Sequence, residues 1–418
     1  MNILMVTNTY LPIVGGLELS IQSFTEEYRK RGHRVMIVAP EFDNSPSEEH
    51  DVVRVPALKN FNRSPYSINY PLPIFFMKDL KGFEPDVVHA HHPFLMGDTA
   101  LRLAYANDIP LIFTHHSLYE QNIRGTPATL GALKKFIIGL ATGFANLCDA
   151  VIAPSESVAE MIRAHGVRTP VTVIPTGLHL EQFTGTSRNF KGEHRIPEKA
   201  FVVGYVGRLA EEKNLPFLMR AAAVFLKKEK SALFLVVGSG PMEEPISLHF
   251  KENGLEDRLR FTGEMKGKEL IEAFQAIDVF AFASHSETQG MVLNEAMAAG
   301  TPVVGIDAPG VRDIVTDTVN GRLVPGEDEG EFARALGWVF DQPSSGRKAL
   351  IEGAKLTARR YSVERSATKA LGVYEGLRSD RGPGRGPAKK DPTSFQKNLT
   401  AEWDLLSNLT RSAVGAFR

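Results

Sequence analysis

Short apolar runs alternate with helical segments along this chain, and the alternation occurs twice. The first series of apolar runs lies at residues 3–6, 35–39, 86–89, 111–113, 150–153 and 171–174. The second series lies at residues 201–206, 233–237, 259–262, 279–281 and 302–304. Continuous apolar runs of this length, separated by helices, are typical of buried parallel strands. The pattern therefore predicts two α/β domains in tandem, each a parallel sheet covered by helices on both faces.

The length agrees with two domains, because a single core rarely grows past about 250–300 residues and this chain has 418. A polar stretch with Gly and Pro at 182–200 indicates the linker between them. We expect Rossmann-like domains at 1–185 and 200–360, a helical segment at 361–378 and a tail at 379–418.

The tail begins as a flexible basic linker at 381–387 and continues as an amphipathic segment. It carries seven Lys or Arg and four Asp or Glu, a net charge of +3. In the amphipathic part, Phe395, Leu399, Trp403 and Leu406 are spaced for one helix face. Such a tail could dock on the body of the protein, on a partner or on a membrane surface, or take no fixed position.

Bulk composition excludes several classes of function. The 48 Lys and Arg balance 49 Asp and Glu, which argues against a nucleic-acid binder. Cys148 is the single cysteine, so no internal disulfide forms and a reducing compartment is expected. No apolar run reaches the roughly 18–20 residues that cross a bilayer. We expect a cytoplasmic protein, or one bound to the inner face of the cell membrane.

Two carboxylates, Glu287 and Glu295, flank a predicted loop-to-helix junction. A helix that starts near Gly290 would present its free backbone N–H groups, together with the positive end of its dipole, to a phosphate. The acids would then lie roughly 8–12 Å apart along the chain path. That spacing suits a diphosphate with a hydroxyl-bearing ring at each end, as in a nucleotide sugar. An ordinary surface helix with acidic first turns is the alternative.

Two further loops at predicted strand ends offer phosphate ligands. Arg208 provides a planar fork and Lys213 a compact charge, which together could neutralise a departing diphosphate without a metal. Gly15 and Gly16 allow close approach of backbone to an anion at the next helix start, but they do not form the dinucleotide fingerprint. Each feature alone also fits an ordinary surface or turn.

The remaining candidates lie at other strand ends. Gly238, and Gly263 with Glu264, could form walls that read a nucleotide base through main-chain groups. Five histidines cluster at residues 89–92 and 115–116, but their spacing matches no zinc pattern. We therefore select His116 as a hydrogen-bonding partner of the transferred sugar and predict no metal site.

Taken together, these segments resemble the retaining glycosyltransferases of family 4, which have the GT-B fold. The resemblance extends over residues 1–377 and includes the Gly15-Gly16 loop, residues 207–214, residues 261–264 and the two acids of the loop-helix junction. Residues 174–178, with Phe183, resemble the segment that precedes the linker in this family. The tail has no counterpart in the family pattern.

The resemblance implies a GT-B protein with two tandem Rossmann-like domains facing a central cleft, the second of which holds most of the donor. It implies that Arg208 and Lys213 bind the diphosphate, Glu295 the ribose hydroxyls, and Glu287 the sugar. It further implies that Gly16 and the backbone N–H groups of Gly290 and Met291 assist with the diphosphate, with Val292 beside them at the donor. It also implies retention of anomeric configuration, with the leaving phosphate as base and no divalent metal or other cofactor.

Within the family, residues 7–12, 114–120 and 287–290 look most like bacterial diacylglycerol glucosyltransferases, which rest on lipid. Residues 60–63, 73–78 and 131–138 could supply aromatic and cationic lipid contacts, or could be core helices with a charged edge. The Gly15-Gly16 pair is also common in members with soluble acceptors.

We expect a UDP-sugar donor and a lipid acceptor such as diacylglycerol. The alternatives are a small soluble or saccharide acceptor, a GT-B sugar-nucleotide epimerase, or a non-catalytic nucleotide-sugar-binding scaffold.

Overall fold

The computed structural model describes residues 1–46, 49–58, 68–69, 78, 80, 82–119, 127–185, 189–285, 287–380 and 393–416. Within these ranges the chain forms two compact units. The first consists of Met1–Gly177 together with Val363–Arg418, and the second of Leu178–Ser362. The expected lipid contacts at 60–63 and 73–77 lie outside the described residues, as does the basic linker at 381–387.

The strands, in chain order, are β1 (Asn2–Val6), β2 (Arg34–Pro40), β3 (Val52–Val55), β4 (Ala57–Leu58), β5 (Ile68–Asn69), β6 (Val87–Ala90), β7 (Leu111–Thr114), β8 (Ala150–Ala153), β9 (Val171–Val173), β10 (Phe201–Val206), β11 (Ala232–Val237), β12 (Leu259–Gly263), β13 (Val279–Phe282), β14 (Val303–Ile306) and β15 (Gly321–Val324). The α-helices are α1 (Gly16–Lys30), α2 (Met96–Asn107), α3 (Pro127–Ala145), α4 (Glu156–Ala164), α5 (Phe190–Glu193), α6 (Leu215–Lys228), α7 (Glu243–Glu252), α8 (Gly267–Ala276), α9 (Met291–Ala298), α10 (Glu329–Phe340), α11 (Ser344–Arg360), α12 (Val363–Asp380) and α13 (Thr393–Ala416).

The first unit contains a seven-stranded parallel sheet in the order β3-β2-β1-β6-β7-β8-β9. Its central strands are buried on both faces, which explains why they are continuous apolar runs in the sequence. Val6 lies in register with Val38 and Ala90, so the carboxyl ends of β1, β2 and β6 meet at one edge. The loops that follow β1, β6 and β7 therefore emerge side by side.

The second unit contains a six-stranded parallel sheet in the order β12-β11-β10-β13-β14-β15. In it, β10 pairs with β11 on one side and with β13 on the other. The chain order of the strands thus reverses at β10, and open sheets of this kind bind ligands outside the carboxyl ends at such a reversal. Both sheets are of the predicted parallel type.

The observed division differs from the expected boundaries at both ends of the second unit. Residues 178–185 belong to the second unit, and Phe190 of α5 is buried in its core. The helices α12 and α13 belong to the first unit. Tyr374 of α12 explains this return: its ring is fully buried, and its hydroxyl lies 3.2 Å from the Tyr28 hydroxyl and 2.7 Å from Nδ1 of His89.

The described part of the tail is the helix α13, and it packs on α3 and α2 of the first unit. Gly139 and Gly143 of α3 allow close approach, because a Cβ on Gly143 would lie 1.7 Å from Oδ1 of Asn408. Nδ2 of Asn408 donates to the Leu140 carbonyl at 3.0 Å. Among the described helices, none is long and apolar enough to cross a membrane.

We expect Gly143→Leu to displace α13 from α3, because the new side chain overlaps Asn408. The cost is about 1–3 kcal/mol, as for other overpacked contacts. Amide hydrogen exchange across 393–416 should rise, and the melting temperature should fall. Gly131→Leu is the matched control, since Gly131 lies in the same helix with no atom near its Cβ direction. Unchanged exchange in Gly143→Leu would show that the close approach is not needed for docking.

Candidate functional site

The loop between β10 and α6 positions both predicted cations of the second unit. Arg208 follows the strand directly, and its carbonyl accepts a hydrogen bond from the Tyr205 hydroxyl at 3.0 Å. Lys213 ends a 3₁₀ turn at Glu211–Lys213, and Asn214 then caps α6 in a left-handed conformation with φ 54°. Because the turn is fixed at both ends, the two cations project from one short rigid loop.

Lys213 and Glu287 form the central contact at the carboxyl-terminal edge of the second sheet. Nζ of Lys213 lies 2.6 Å from Oε1 of Glu287, and the side chains are 21% and 16% exposed. This half-buried ion pair joins the loop after β10 to the loop after β13. The structure therefore brings together two residues that the sequence analysis had assigned to different parts of a donor.

Arg208 lies in a different environment from Lys213. Its guanidinium pairs with Glu212 at 2.8 Å, and its side chain is 75% exposed. A pair at this exposure contributes little to stability. Arg208 can therefore exchange Glu212 for a phosphate with little loss, since both are anions that its planar fork can bind.

Gly290 places the start of α9 directly after the Glu287 loop. Gly290 has φ +70°, and no side chain caps the helix. The N–H groups of Met291 and Val292 therefore point out of the first turn without helical acceptors. A side chain at Gly290 would adopt this conformation with strain and would meet the Gly310 carbonyl. The geometry is that of an anion-accepting helix terminus.

Glu295 lies one turn further along α9. Burial raises the pKa of its carboxyl to about 7. Among the described residues its carboxyl has no hydrogen-bonding or ionic partner. An unpartnered acceptor at this depth is suited to receive hydroxyl donors from a ligand.

The ends of β11 and β12 form the neighbouring part of the same edge. The Gly238 N–H donates to the Gly263 carbonyl at 2.8 Å, and Ser239 Oγ donates to Oε1 of Glu264 at 2.7 Å. A Cβ on Gly238 would lie 2.0 Å from the Gly207 carbonyl, so only glycine allows these loops to approach so closely. The two loops thus lie in close contact at the carboxyl ends of their strands, and their role beside a nucleotide base stays a prediction.

Gly15 and Gly16 lie in the first unit, at the start of α1. Gly15 caps the helix in an extended conformation, and the buried Glu18 lies in the first turn. Oε2 of Glu18 lies 2.8 Å from where a Cβ on Gly15 would be. A carboxylate thus already lies against the glycine pair. The sequence pattern indicated only the glycines.

The histidines of the first unit form a connected buried group. Nδ1 of His91 lies 2.9 Å from Nε2 of His116, and Nε2 of His89 lies 2.6 Å from the Thr114 hydroxyl. Burial lowers the pKa of His89 to about 3 and holds the pKa of His91 and of His116 well below the usual value. His116 is therefore neutral near pH 7 and can hydrogen-bond a hydroxyl without bringing charge to it.

His91 is a residue that sequence reasoning did not select. It hydrogen-bonds His116, so the tautomer of one ring fixes that of the other. The spacing of His89 and His91 indicated that they share one side of the strand end, and their rings lie 4.2 Å apart at an angle of 32°. Within the described ranges, no group of three or more His, Cys, Asp or Glu side chains has the geometry to hold a metal ion.

A second group of residues that sequence reasoning missed stabilises the Lys213 loop through hydrogen bonds. Nδ2 of Asn214 donates to the Ala283 carbonyl at 3.2 Å and to Oε1 of Glu327 at 3.0 Å. Nε2 of His285 lies 2.6 Å from the same Glu327 oxygen. Glu327 follows β15, far along the chain, and no local pattern indicates this contact.

Comparison with known proteins identifies the family. A family model described as Glycosyltransferase Family 4 matches residues 14–182, and one described as Glycosyl transferases group 1 matches residues 186–357. The chain belongs to glycosyltransferase family 4. This confirms the resemblance drawn from the motifs, and the protein is a glycosyltransferase that depends on a nucleotide sugar.

Two curated relatives illustrate the range of the family. The alpha-monoglucosyldiacylglycerol synthase of Streptococcus pneumoniae is 28% identical over 336 residues, which cover 79% of this glycosyltransferase and 76% of the relative. The GDP-mannose-dependent alpha-mannosyltransferase of Mycobacterium tuberculosis is 31% identical over 388 residues, which cover 90% and 97%. The two relatives differ in the substrates that their names state.

Solved structures establish the fold. The crystal structure of HepE from Anabaena in complex with UDP superimposes with a TM-score of 0.70 at 21% identity. It covers 90% of this glycosyltransferase and 100% of the HepE chain. The two Rossmann-like units are therefore those of the GT-B fold, as predicted.

The raised pKa of Glu295 gives a testable pH dependence. The carboxyl ionises near 4.5 in the unfolded chain and at about 7 in the folded one. Its contribution to stability is therefore present below pH 4.5 and is lost as the pH rises through 7. We expect Glu295→Gln to melt close to the wild type near pH ~5 and above it near pH ~8.5.

Thermal melts across this pH range measure the effect. Glu264→Gln, which changes an exposed carboxyl at the same sheet edge, is the matched control. A difference between Glu295→Gln and the wild type that is the same at every pH would contradict the assignment.

Proposed function

We propose that this glycosyltransferase moves a hexose from a UDP-sugar, such as UDP-glucose, to the hydroxyl of a membrane lipid such as diacylglycerol, with retention of anomeric configuration. The observation that carries the proposal is the meeting of Lys213, Glu287 and the open start of α9 at one sheet edge. Cation, carboxylate and helix terminus there match the phosphate and hydroxyl groups of a nucleotide sugar.

The proposed roles follow from charge and position. Arg208 and Lys213 neutralise the diphosphate, assisted by the N–H groups at the start of α9. Glu295 accepts hydrogen bonds from the ribose hydroxyls. The carboxylate of Glu287 contacts the sugar. Its Oε1 remains paired with Lys213, and this ion pair fixes the carboxylate in place.

Gly15, Gly16 and His116 keep the roles that the family resemblance implies. The glycines offer backbone N–H groups to phosphate, and neutral His116 hydrogen-bonds an outer hydroxyl of the sugar. Main-chain groups at Gly238 and Gly263, with Glu264 beside them, border the nucleotide base.

The reaction needs no protein base in this scheme. The anomeric carbon loses its bond to the diphosphate oxygen and gains a bond to the acceptor oxygen on the same face. The acceptor proton passes to the leaving phosphate. We propose that the two cations and the helix terminus carry the charge stabilisation, so that no divalent metal takes part.

The Streptococcus pneumoniae relative supports the lipid acceptor, because its name states a diacylglycerol product. Since diacylglycerol is a membrane lipid, we also propose that the protein works at the inner face of the cell membrane. The Mycobacterium tuberculosis relative supports a second candidate donor, GDP-mannose, since its match extends over more of both chains. The first relative is named for making a glucosylated lipid and the second for mannosyl transfer, which favours transfer over epimerisation or simple binding.

Substitution tests the site. Arg208→Ala and Glu287→Ala should each lower kcat by about 10²–10³, the usual effect of removing a preorganised charge, and should leave the fold intact. Arg220→Ala is the matched control, because Arg220 lies in the same unit and also forms an ion pair, with Glu329 at 2.5 Å. Near-normal turnover in either site variant would refute the site.

Donor and acceptor are tested together. Nucleoside diphosphate release is measured for UDP-glucose, UDP-galactose and GDP-mannose, with and without vesicles that contain diacylglycerol. We expect UDP-glucose turnover to rise with these vesicles and to yield an α-linked glycolipid by NMR. Release from GDP-mannose alone would establish the second donor, and release indifferent to lipid would point to a soluble acceptor. An inverted product would overturn retention.

A further inference from the structure

The helix α13 has most of its large apolar side chains on the outside, although Leu405 packs against the core of the first unit. Its buried positions hold small or polar residues, namely Ala401, Asn408, Ser412 and Ala416. Its exposed positions hold large apolar ones, namely Leu399, Trp403, Leu406, Leu409 and Val414. Trp403 is 71% exposed and Leu406 59%. A helix that packs on a soluble domain normally shows the opposite arrangement.

Polar contacts hold α13 in this orientation. Glu402 pairs with Arg102 at 2.5 Å, and Asp404 accepts a hydrogen bond from the Tyr105 hydroxyl at 3.2 Å. Lys397 pairs with Asp108 at 3.3 Å. The acidic side chains of α13 are thus directed at the body of the first unit, and the outward stripe is left apolar.

The neighbouring helix α3 extends this apolar surface. Leu133 is 39% exposed, and Phe136, Ile137 and Ile138 are half-buried. The contact between α3 and α13 uses Gly139 and Gly143. Small residues between helices and large apolar residues outside are the arrangement that helices adopt against lipid.

Cations border the same surface. A groove of about 760 Å³ between α3 and α13 is lined by Lys135, Arg168 and Arg411, and Asp404 is the acid among its lining residues. Within the described ranges these three cations have no ionic partner. The groove therefore carries an excess of positive charge directly beside the apolar stripe.

We propose that the outer face of α13, with α3 and this cationic groove, binds the surface of an anionic phospholipid bilayer. The apolar side chains enter the acyl boundary, and the three cations meet lipid phosphates. This goes beyond the proposed reaction, because a protein can bind a bilayer whatever its acceptor is.

A second copy of the chain is the other occupant that an apolar stripe suggests. A twofold contact through this face would bring Lys135, Arg168 and Arg411 toward the same cations of the partner. Like charges brought together oppose such a contact. An anionic surface has no such conflict, so the charges favour lipid.

Vesicle binding tests the proposal without donor or diacylglycerol, so its outcome is independent of the glycosyl transfer reaction. Flotation with phosphatidylcholine vesicles containing about 30 mol % phosphatidylglycerol should recover the full chain, and pure phosphatidylcholine should recover far less.

Trp403→Ser/Leu406→Ser should weaken binding about ten-fold or more, since it removes inserted apolar area. Lys135→Gln/Arg411→Gln should also weaken it by about ten-fold or more and reduce its sensitivity to salt.

The controls distinguish binding through this surface from non-specific binding by exposed apolar side chains. Leu248→Ser/Leu356→Ser removes side chains of similar exposure from the second unit and should bind as the wild type does. In a Trp338→Phe background, Trp403 is the single tryptophan, and its emission should shift to the blue on binding.

Equal flotation of the wild type and the Trp403→Ser/Leu406→Ser variant would overturn the proposal. So would an unshifted Trp403 emission in the presence of bound vesicles. A dimer that this variant converts to a monomer, with no change in flotation, would assign the stripe to self-association instead.

Discussion

Parallel alignment of the strands in the second sheet is the constraint on which its functional edge depends. Because β10, β11, β12 and β13 run in the same direction, the loops after all four emerge at one edge. The reversal of strand order at β10 leaves space there between the loops after β10 and β13. Lys213 and Glu287, 74 residues apart in the chain, can form an ion pair only because of that alignment.

The two units differ in their electrostatics. The second presents Arg208 and Lys213, each paired with a glutamate, beside the uncapped start of α9, and such a helix start suits an anion. The first presents histidines that burial keeps neutral, with His91 hydrogen-bonded to His116 and His89 to Tyr374. Neutral donors and acceptors suit sugar hydroxyls, which must be positioned rather than neutralised. Burial is thus as important to the charge of these histidines as the choice of residue type.

The last two helices show how strongly distant segments determine the first unit. Tyr374 reaches His89 across 285 positions of sequence, and Arg102 reaches Glu402 across 300. Through these contacts α12 completes a core that begins at β1, and α13 covers α2 and α3. The family motifs end before α13, so this helix adds a surface to the fold rather than a part of the donor site.

The sequence by itself determined the fold class, because apolar runs of strand length separated by helices leave a parallel sheet as the way to bury them. It also selected Arg208, Lys213, Glu287 and the start of α9, since their chemistry is local to strand ends. It could not supply the Asn214–Glu327 contact, the His91–His116 pair, or the return of α12 to the first unit. These depend on which distant segments meet, and periodicity along the chain carries no information about that. Only tertiary packing decided that most of the large apolar residues of α13 face outward, because glycines on α3 admit the small side of the helix and polar partners hold its acids inward.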